Sequence, residues 1–113
     1  MTVVTDTITL TQLKEMAELL FGDMVKGVVD VERELVALDA ELHADLEALL
    51  MERGSKQTDL WGINLYPELT GDDFLEFDSM INVRPSQGNK SRGVDDPNMR
   101  ARISEIIARR ILR

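Results

Sequence analysis

The stretch Val36-Ala37-Leu38-Asp39-Ala40-Glu41-Leu42-His43-Ala44-Asp45-Leu46-Glu47-Ala48-Leu49-Leu50 decides the architecture, because two periodicities fit it at once. Val36, Leu38, Ala40, Leu42, Ala44, Leu46, Ala48 and Leu50 alternate, as on a half-buried strand. Val28, Val31, Leu35, Leu38, Leu42, Leu46 and Leu49 instead step by threes and fours, as on one long amphipathic helix ending at Gly54. Leu, Glu and Ala favour the helix, while Val25, Val28, Val29, Val31 and Val36 favour a strand at the front of the segment.

The flanks read more simply. Ahead of the stretch, Thr9 can cap a helix with Gln12 at the capping-box position, and Ile8 and Leu13 are spaced as a hydrophobic staple. Leu10, Leu13, Ala17, Leu20 and Phe21 then form one stripe, and Gly22 suits a left-handed C-terminal position, so a first helix is predicted over about residues 10–21. Behind it, Asp59–Tyr66 is aromatic and β-branched enough for a strand closed by Pro67, and Phe74–Val83 alternates cleanly. Thr70-Gly71-Asp72-Asp73 supplies the turn between these two. After Pro85 the chain is polar and aperiodic, until Asp96-Pro97 starts a final helix whose buried stripe is Ile103, Ile106, Ile107 and Ile111.

With 113 residues, 43% apolar and no cysteine, the chain suits one domain, 1–113, with a tail at 1–8 and a polar loop at 84–96. The absence of Cys excludes a disulfide scaffold, a thiolate zinc site and a cysteine nucleophile. No apolar run approaches the roughly 20 residues of a bilayer span, and the first residues lack the pattern of a secretory signal, so a cytoplasmic protein without membrane association is expected. The net charge of −8 is uneven: residues 1–83 carry 5 basic and 18 acidic side chains, residues 84–113 carry 8 basic and 3 acidic. That balance argues against nucleic acid as a partner, and it predicts that the basic tail faces the acidic body, within one chain or across a dimer.

The segments Gly54-Ser55-Lys56-Gln57-Thr58-Asp59-Leu60-Trp61-Gly62-Ile63-Asn64-Leu65-Tyr66-Pro67 and Glu76-Phe77-Asp78-Ser79-Met80-Ile81-Asn82-Val83-Arg84-Pro85-Ser86-Gln87-Gly88-Asn89-Lys90-Ser91-Arg92-Gly93-Val94, with Glu41-Leu42-His43-Ala44-Asp45, resemble a family of small uncharacterised bacterial proteins, a domain of unknown function. The resemblance covers nearly the whole chain and supplies no activity. It implies a break near Asp39-Ala40, which favours strands over one long helix: a strand near 24–38, a second near 41–51 and a turn at Arg53-Gly54-Ser55. A short helix within 44–53 is the competing assignment. The predicted fold is therefore α+β, a four-stranded antiparallel meander with N- and C-terminal helices packed on one face.

Three constellations follow. The sheet face away from the helices would collect Glu41, His43, Asp45 and Glu47 with Glu76, Asp78, Asn82 and Arg84, joined by Asn64 and Tyr66 according to register. His43, Asp45, Glu76 and Asp78 are the ligand types of a divalent metal, and His with carboxylates also suits acid–base chemistry. The loop residues Arg84, Ser86, Gln87, Asn89, Lys90, Ser91 and Arg92 are donors for a small anionic ligand, and Arg84 or Arg92 could pair with Glu76 or Asp78 to join the two sites. Trp61, Phe74 and Met80 are candidates for an interface core. The leading functional reading is a non-catalytic interaction or ligand-binding protein, a homo-oligomer or the partner of another protein. A small metal-dependent or acid–base enzyme and a nucleic-acid-associated regulator are the alternatives.

Overall fold

Thr9 starts the first helix as its sequence predicts: its hydroxyl accepts the Gln12 N–H at 3.1 Å, and the Gln12 side chain accepts the Thr9 N–H at 2.8 Å. In the computed structural model, which describes residues 1–113, the chain runs β1 (Thr2–Val4), β2 (Ile8–Thr9), α1 (Leu10–Leu20), β3 (Val25–Asp30), β4 (Leu35–Leu38), α2 (His43–Glu52), β5 (Leu60–Leu65), β6 (Leu75–Glu76), α3 (Pro97–Arg110) and β7 (Ile111–Leu112). Single 3-10 turns at Gln57–Asp59, Gly71–Asp73, Met80–Asn82 and Pro85–Gln87 fill the connections. No helix is long and apolar enough to cross a membrane.

The class is α+β with an antiparallel sheet, but the sheet has five strands in the order β1-β4-β3-β5-β6 and is not a simple meander. Residues 24–38 form a hairpin, not one strand. The Asp30 carboxylate accepts the N–H groups of Glu32 and Arg33 at 3.0 and 2.9 Å, and Glu34 adopts φ 57°, so a side chain makes a turn where the sequence offers neither Gly nor Pro. Ser55 donates to the other Asp30 oxygen at 2.6 Å, which seals the carboxylate inside the protein.

The predicted strand at 41–51 is the helix α2. The two periodicities of the deciding stretch belong to different halves: Val36 and Leu38 alternate within β4, Asp39 breaks the chain at φ 76°, and His43, Leu46 and Leu50 then step along the buried side of a helix. The crossover is a geometric requirement. β4 and β5 both lie antiparallel to β3 between them, so they run parallel to each other, and the connection has to cross a face of the sheet.

As a result helices cover both faces. On one side α1 and α3 bury Leu13, Ala17, Ile103, Ile106 and Ile107 against Val25, Val29, Val36, Leu38, Trp61, Ile63 and Leu65. On the other, Leu46 and Leu50 of α2 pack on Val28, Ala37 and Leu60. The expectation that both faces differ in solvation, one apolar and one open to water, fails over the part α2 covers. The stripe of α1 also ends early, since Leu20 and Phe21 are exposed. The N-terminal residues form strands rather than a tail: β1 edges the sheet and β2 pairs in parallel with β7, tying the two ends of the chain together.

The predicted strand at 74–83 is only two residues long. Beyond Glu76 the open edge of β5 is satisfied by side chains. Asn82 Oδ1 accepts the Gly62 N–H at 2.8 Å and its Nδ2 donates to the Gly62 carbonyl at 2.9 Å, a reciprocal pair of the kind a strand would make. Arg84 extends this closure by donating to the Leu60 and Gln57 carbonyls at 2.7 and 2.8 Å. The basic tail does meet the acidic body within the chain, through Arg102 and Arg109 on Glu34 and Arg92 on Asp78.

Candidate functional site

Where α2 begins, one end of its sheet face stays uncovered. Register brings Lys26 of β3, Asn64 of β5 and Glu76 of β6 side by side across three strands. The residues two places along, Met24, Tyr66 and Asp78, point to the same side by the period of two. These six, with His43 from the first turn of α2, line a cavity of about 410 Å³. Leu42 and Met80, 57% and 65% exposed, stand at its mouth, and Arg92 reaches in from the polar loop.

The cavity wall is a connected network. Asn64 Nδ2 donates to Glu76 Oε1 at 2.8 Å and to the Asp78 carbonyl at 3.2 Å, and the Tyr66 hydroxyl donates to the same Glu76 oxygen at 3.1 Å. Arg92 Nε pairs with Asp78 Oδ1 at 2.7 Å, the link between loop and sheet that the sequence suggests. Lys26 makes no carboxylate ion pair and lies 5.2 Å from the centre of the Phe21 ring.

His43 is the least ordinary member. It is only 8% exposed, and its Nε2 lies 2.8 Å from the Ile63 carbonyl oxygen. A carbonyl only accepts, so Nε2 carries the proton, and in the neutral ring Nδ1 is left as the free lone pair. Burial lowers the pKa of His43 from its usual 6.5; the Ile63 bond opposes this, nearby Lys26 adds to it, and Asn64 and Asp78 oppose it. Tyr66 shifts upward, first through burial and then through its bond to Glu76, so it keeps its proton.

The His43 shift has a consequence for stability. The folded pKa lies below the unfolded value, so between the two the unfolded chain binds more protons and stability rises with pH. Stability is therefore full above 6.5, falls as pH drops toward the folded pKa, and levels off below it. Denaturant unfolding from about pH 8 to about pH 5 should show a steeper acid loss in the native chain than in His43→Gln. Identical profiles would contradict a buried, neutral ring.

Of the predicted metal set, His43, Glu76 and Asp78 line the cavity, whereas Asp45 is exposed on α2 and is not part of the wall. No three His, Asp or Glu side chains approach closely enough to hold a metal ion, so the set does not fit one.

The predicted anion loop likewise divides. Arg92 joins the cavity. Arg84 is a structural clamp on β5, its guanidinium 4.0 Å from the centre of the Trp61 ring. Asn89 is buried, donating to the carbonyls of Asn82, Ser91 and Gly93 and accepting the Asp95 N–H, so it holds the loop in shape. Lys90 and Ser91 direct their backbone N–H and hydroxyl to Asp95, at 2.9 and 2.5 Å. The Ser91 bond, followed by the Lys90 one, holds Asp95 below the usual carboxylate range. Ser86 and Gln87 lie exposed in the 3-10 turn. Arg84 and Gln87 thus turn to carbonyls of the Gln57–Leu60 segment and Asn89 and Ser91 to the loop itself, and the set does not converge on a common point.

Lys26 is the charged cavity residue that sequence reading missed. Nothing local marks it, because its place depends on the pairing of β3 with β5.

No curated protein matches the chain, and no solved structure does. A family model described as a protein of unknown function (DUF5674) matches residues 2–110, which is nearly the full length, and the chain belongs to that family.

Proposed function

We propose that the protein is a small-ligand-binding module whose site is the cavity at His43, and that its ligand is a small polar molecule carrying both an anionic group and an N–H donor. The observation that carries this reading is the fixed Nε2–H tautomer of His43, which leaves Nδ1 as an acceptor on a residue lining the cavity. Lys26 and Arg92 supply positive charge for the anionic group, while Nδ1 and Glu76 accept from the donor. The volume of about 410 Å³ suits a small molecule, and the few converging polar groups among apolar rim residues are the usual composition of such sites. The exposed Leu42 and Met80 at the mouth favour a protein contact there, a second copy of the chain included.

Amino acids are suitable probes, because each carries an ammonium and a carboxylate. Titrating labelled protein with glycine and glutamate, with acetate and methylammonium as single-charge controls, should move the amide signals of His43, Asn64 and Glu76 with the zwitterions well before the controls. Equal responses to all four, or shifts confined to Ser86–Ser91, would overturn the assignment. Acid–base catalysis is the second reading, favoured by the same neutral imidazole with a free Nδ1. It requires that a bound probe be chemically changed and that His43→Gln stop the change, whereas recovery of the probe unaltered supports binding alone.

A further inference from the structure

The other face of the sheet carries a second and larger cavity, of about 760 Å³, between α3 and the segment from Gly71 to Phe77. Its helix wall is Arg100, Ser104, Ile107, Ala108 and Ile111, spaced by threes and fours along one side of α3 and just beyond it. Phe74 and Phe77 form the opposite wall. The cavity is therefore mostly apolar, and it lies apart from the His43 site.

Its charges are selective. α3 carries four arginines in addition to Arg100, if the adjacent Arg113 is counted with Arg102, Arg109 and Arg110. Arg102 and Arg109 pair with Glu34, and Arg110 donates to the Glu34 and Asp6 carbonyls. Arg100 and Arg113, the two that line the cavity, make no carboxylate ion pair in a chain with a net charge of −8. Arg113 is held 4.1 Å from the centre of the Phe74 ring and donates to the Leu69 carbonyl at 3.1 Å, while Arg100 donates to the Val94 carbonyl at 2.6 Å. Asp72 is the single carboxylate side chain among the lining residues. An apolar trough with two cations that make no direct carboxylate ion pair is complementary to a molecule with a hydrophobic body and one negative head.

We infer that this cavity binds a free amphipathic carboxylate, an acyl or aryl chain lying along Phe74, Phe77 and Ile107 with its head at Arg100 or Arg113. Calorimetric titration with octanoate, octan-1-ol and acetate tests it. Octanoate should bind, octanol should bind about tenfold more weakly for want of the charge-assisted contact, and acetate should not bind measurably. Ala108 is exposed on α3, so Ala108→Trp should fill the trough, abolish octanoate binding and leave the thermal unfolding midpoint unchanged. Ser104→Trp, on the same side of the helix and also exposed, serves if Ala108→Trp does not fold. Arg113→Gln should weaken octanoate about five- to tenfold and leave octanol unaffected.

Absence of octanoate binding, or equal binding by Ala108→Trp, overturns the inference. So does a dimer that Ala108→Trp dissociates without any effect of octanoate, since the trough would then seat a second copy. Binding to anionic phospholipid vesicles without binding to monomeric octanoate would assign the face to a lipid surface instead.

Discussion

Asn82→Ala is expected to lower stability by about 3–5 kcal/mol, the largest loss foreseen for a polar side chain in this protein. Asn82 is fully buried, and its amide holds the Gly62 N–H and the carbonyls of Gly62 and Arg92. Removing it strands the Gly62 N–H and carbonyl in the interior and takes one of two donors from the Arg92 carbonyl, which keeps the Ser79 N–H, and each unpaired group costs about 1–3 kcal/mol. The carbonyl of Asn82 also accepts from Asn89, but that bond is to the backbone and survives the substitution. Equilibrium unfolding in urea measures the effect. A loss under about 1 kcal/mol would mean that water replaces the amide and that the edge of β5 does not depend on it.

Gly62→Ala should cost about 3 kcal/mol or more, for a steric reason at the same edge. A methyl group at this position would sit 2.4 Å from the Ser79 Cβ and 2.6 Å from its Oγ, inside any tolerable contact. Ser79 cannot easily give way, since it is buried, its N–H donates to the Arg92 carbonyl at 2.9 Å, and its own carbonyl accepts from Asn82 at 3.1 Å. The clash is therefore local and pairwise, which makes it separable. Gly62→Ala combined with Ser79→Gly should recover much of the loss, giving a coupling of more than about 1 kcal/mol in a double-mutant cycle. Simple additivity would locate the cost elsewhere, in the strand backbone or in Ile81.

Both substitutions probe what the sequence shows least well. The capping box at Thr9 and Gln12, the start of α3 at Asp96-Pro97 and its buried isoleucines are local signals, set by residues three or four apart, and they are legible. Gly22 likewise takes the left-handed conformation expected of it, at φ 92°. The turn at Asp30–Glu34 is hidden because a buried carboxylate makes it, and no composition rule flags a carboxylate among valines. The deciding stretch misleads for a related reason: alternation in Val36–Leu38 and helical spacing in His43–Leu50 abut across Asp39, so each pattern can be extrapolated over its neighbour.

The candidate site was legible in its parts and not in its assembly. Glu76 and Asp78 share a face by alternation alone, and Asn64 and Tyr66 share one in the same way. That these pairs meet, with Lys26 beside them, follows from the registers Lys26 to Asn64 and Asn64 to Glu76, which are long-range facts. His43 arrives from a helix rather than a strand, and its burial comes from the packing of α2 on the sheet. Asp45, two residues on, would share a strand face with His43 but leaves it on a helix. For the same reason the anion loop reads as a cluster of donors in sequence, while the fold sends them to separate partners: Arg84 to β5, Arg92 to Asp78, and Ser91 with the Lys90 N–H to Asp95.

The most direct test of the functional account is a nitrogen–proton correlation spectrum of the His43 ring followed through a pH titration. The chain has one histidine, so the ring signals are unambiguous. A single Nε2–H tautomer at neutral pH with a midpoint below 6.5 is the predicted result, and it would show an acceptor at Nδ1 available to a ligand. A mixture of tautomers titrating at 6.5 or above would describe a solvated ring with no fixed lone pair, and the cavity would lose its claim to be the site.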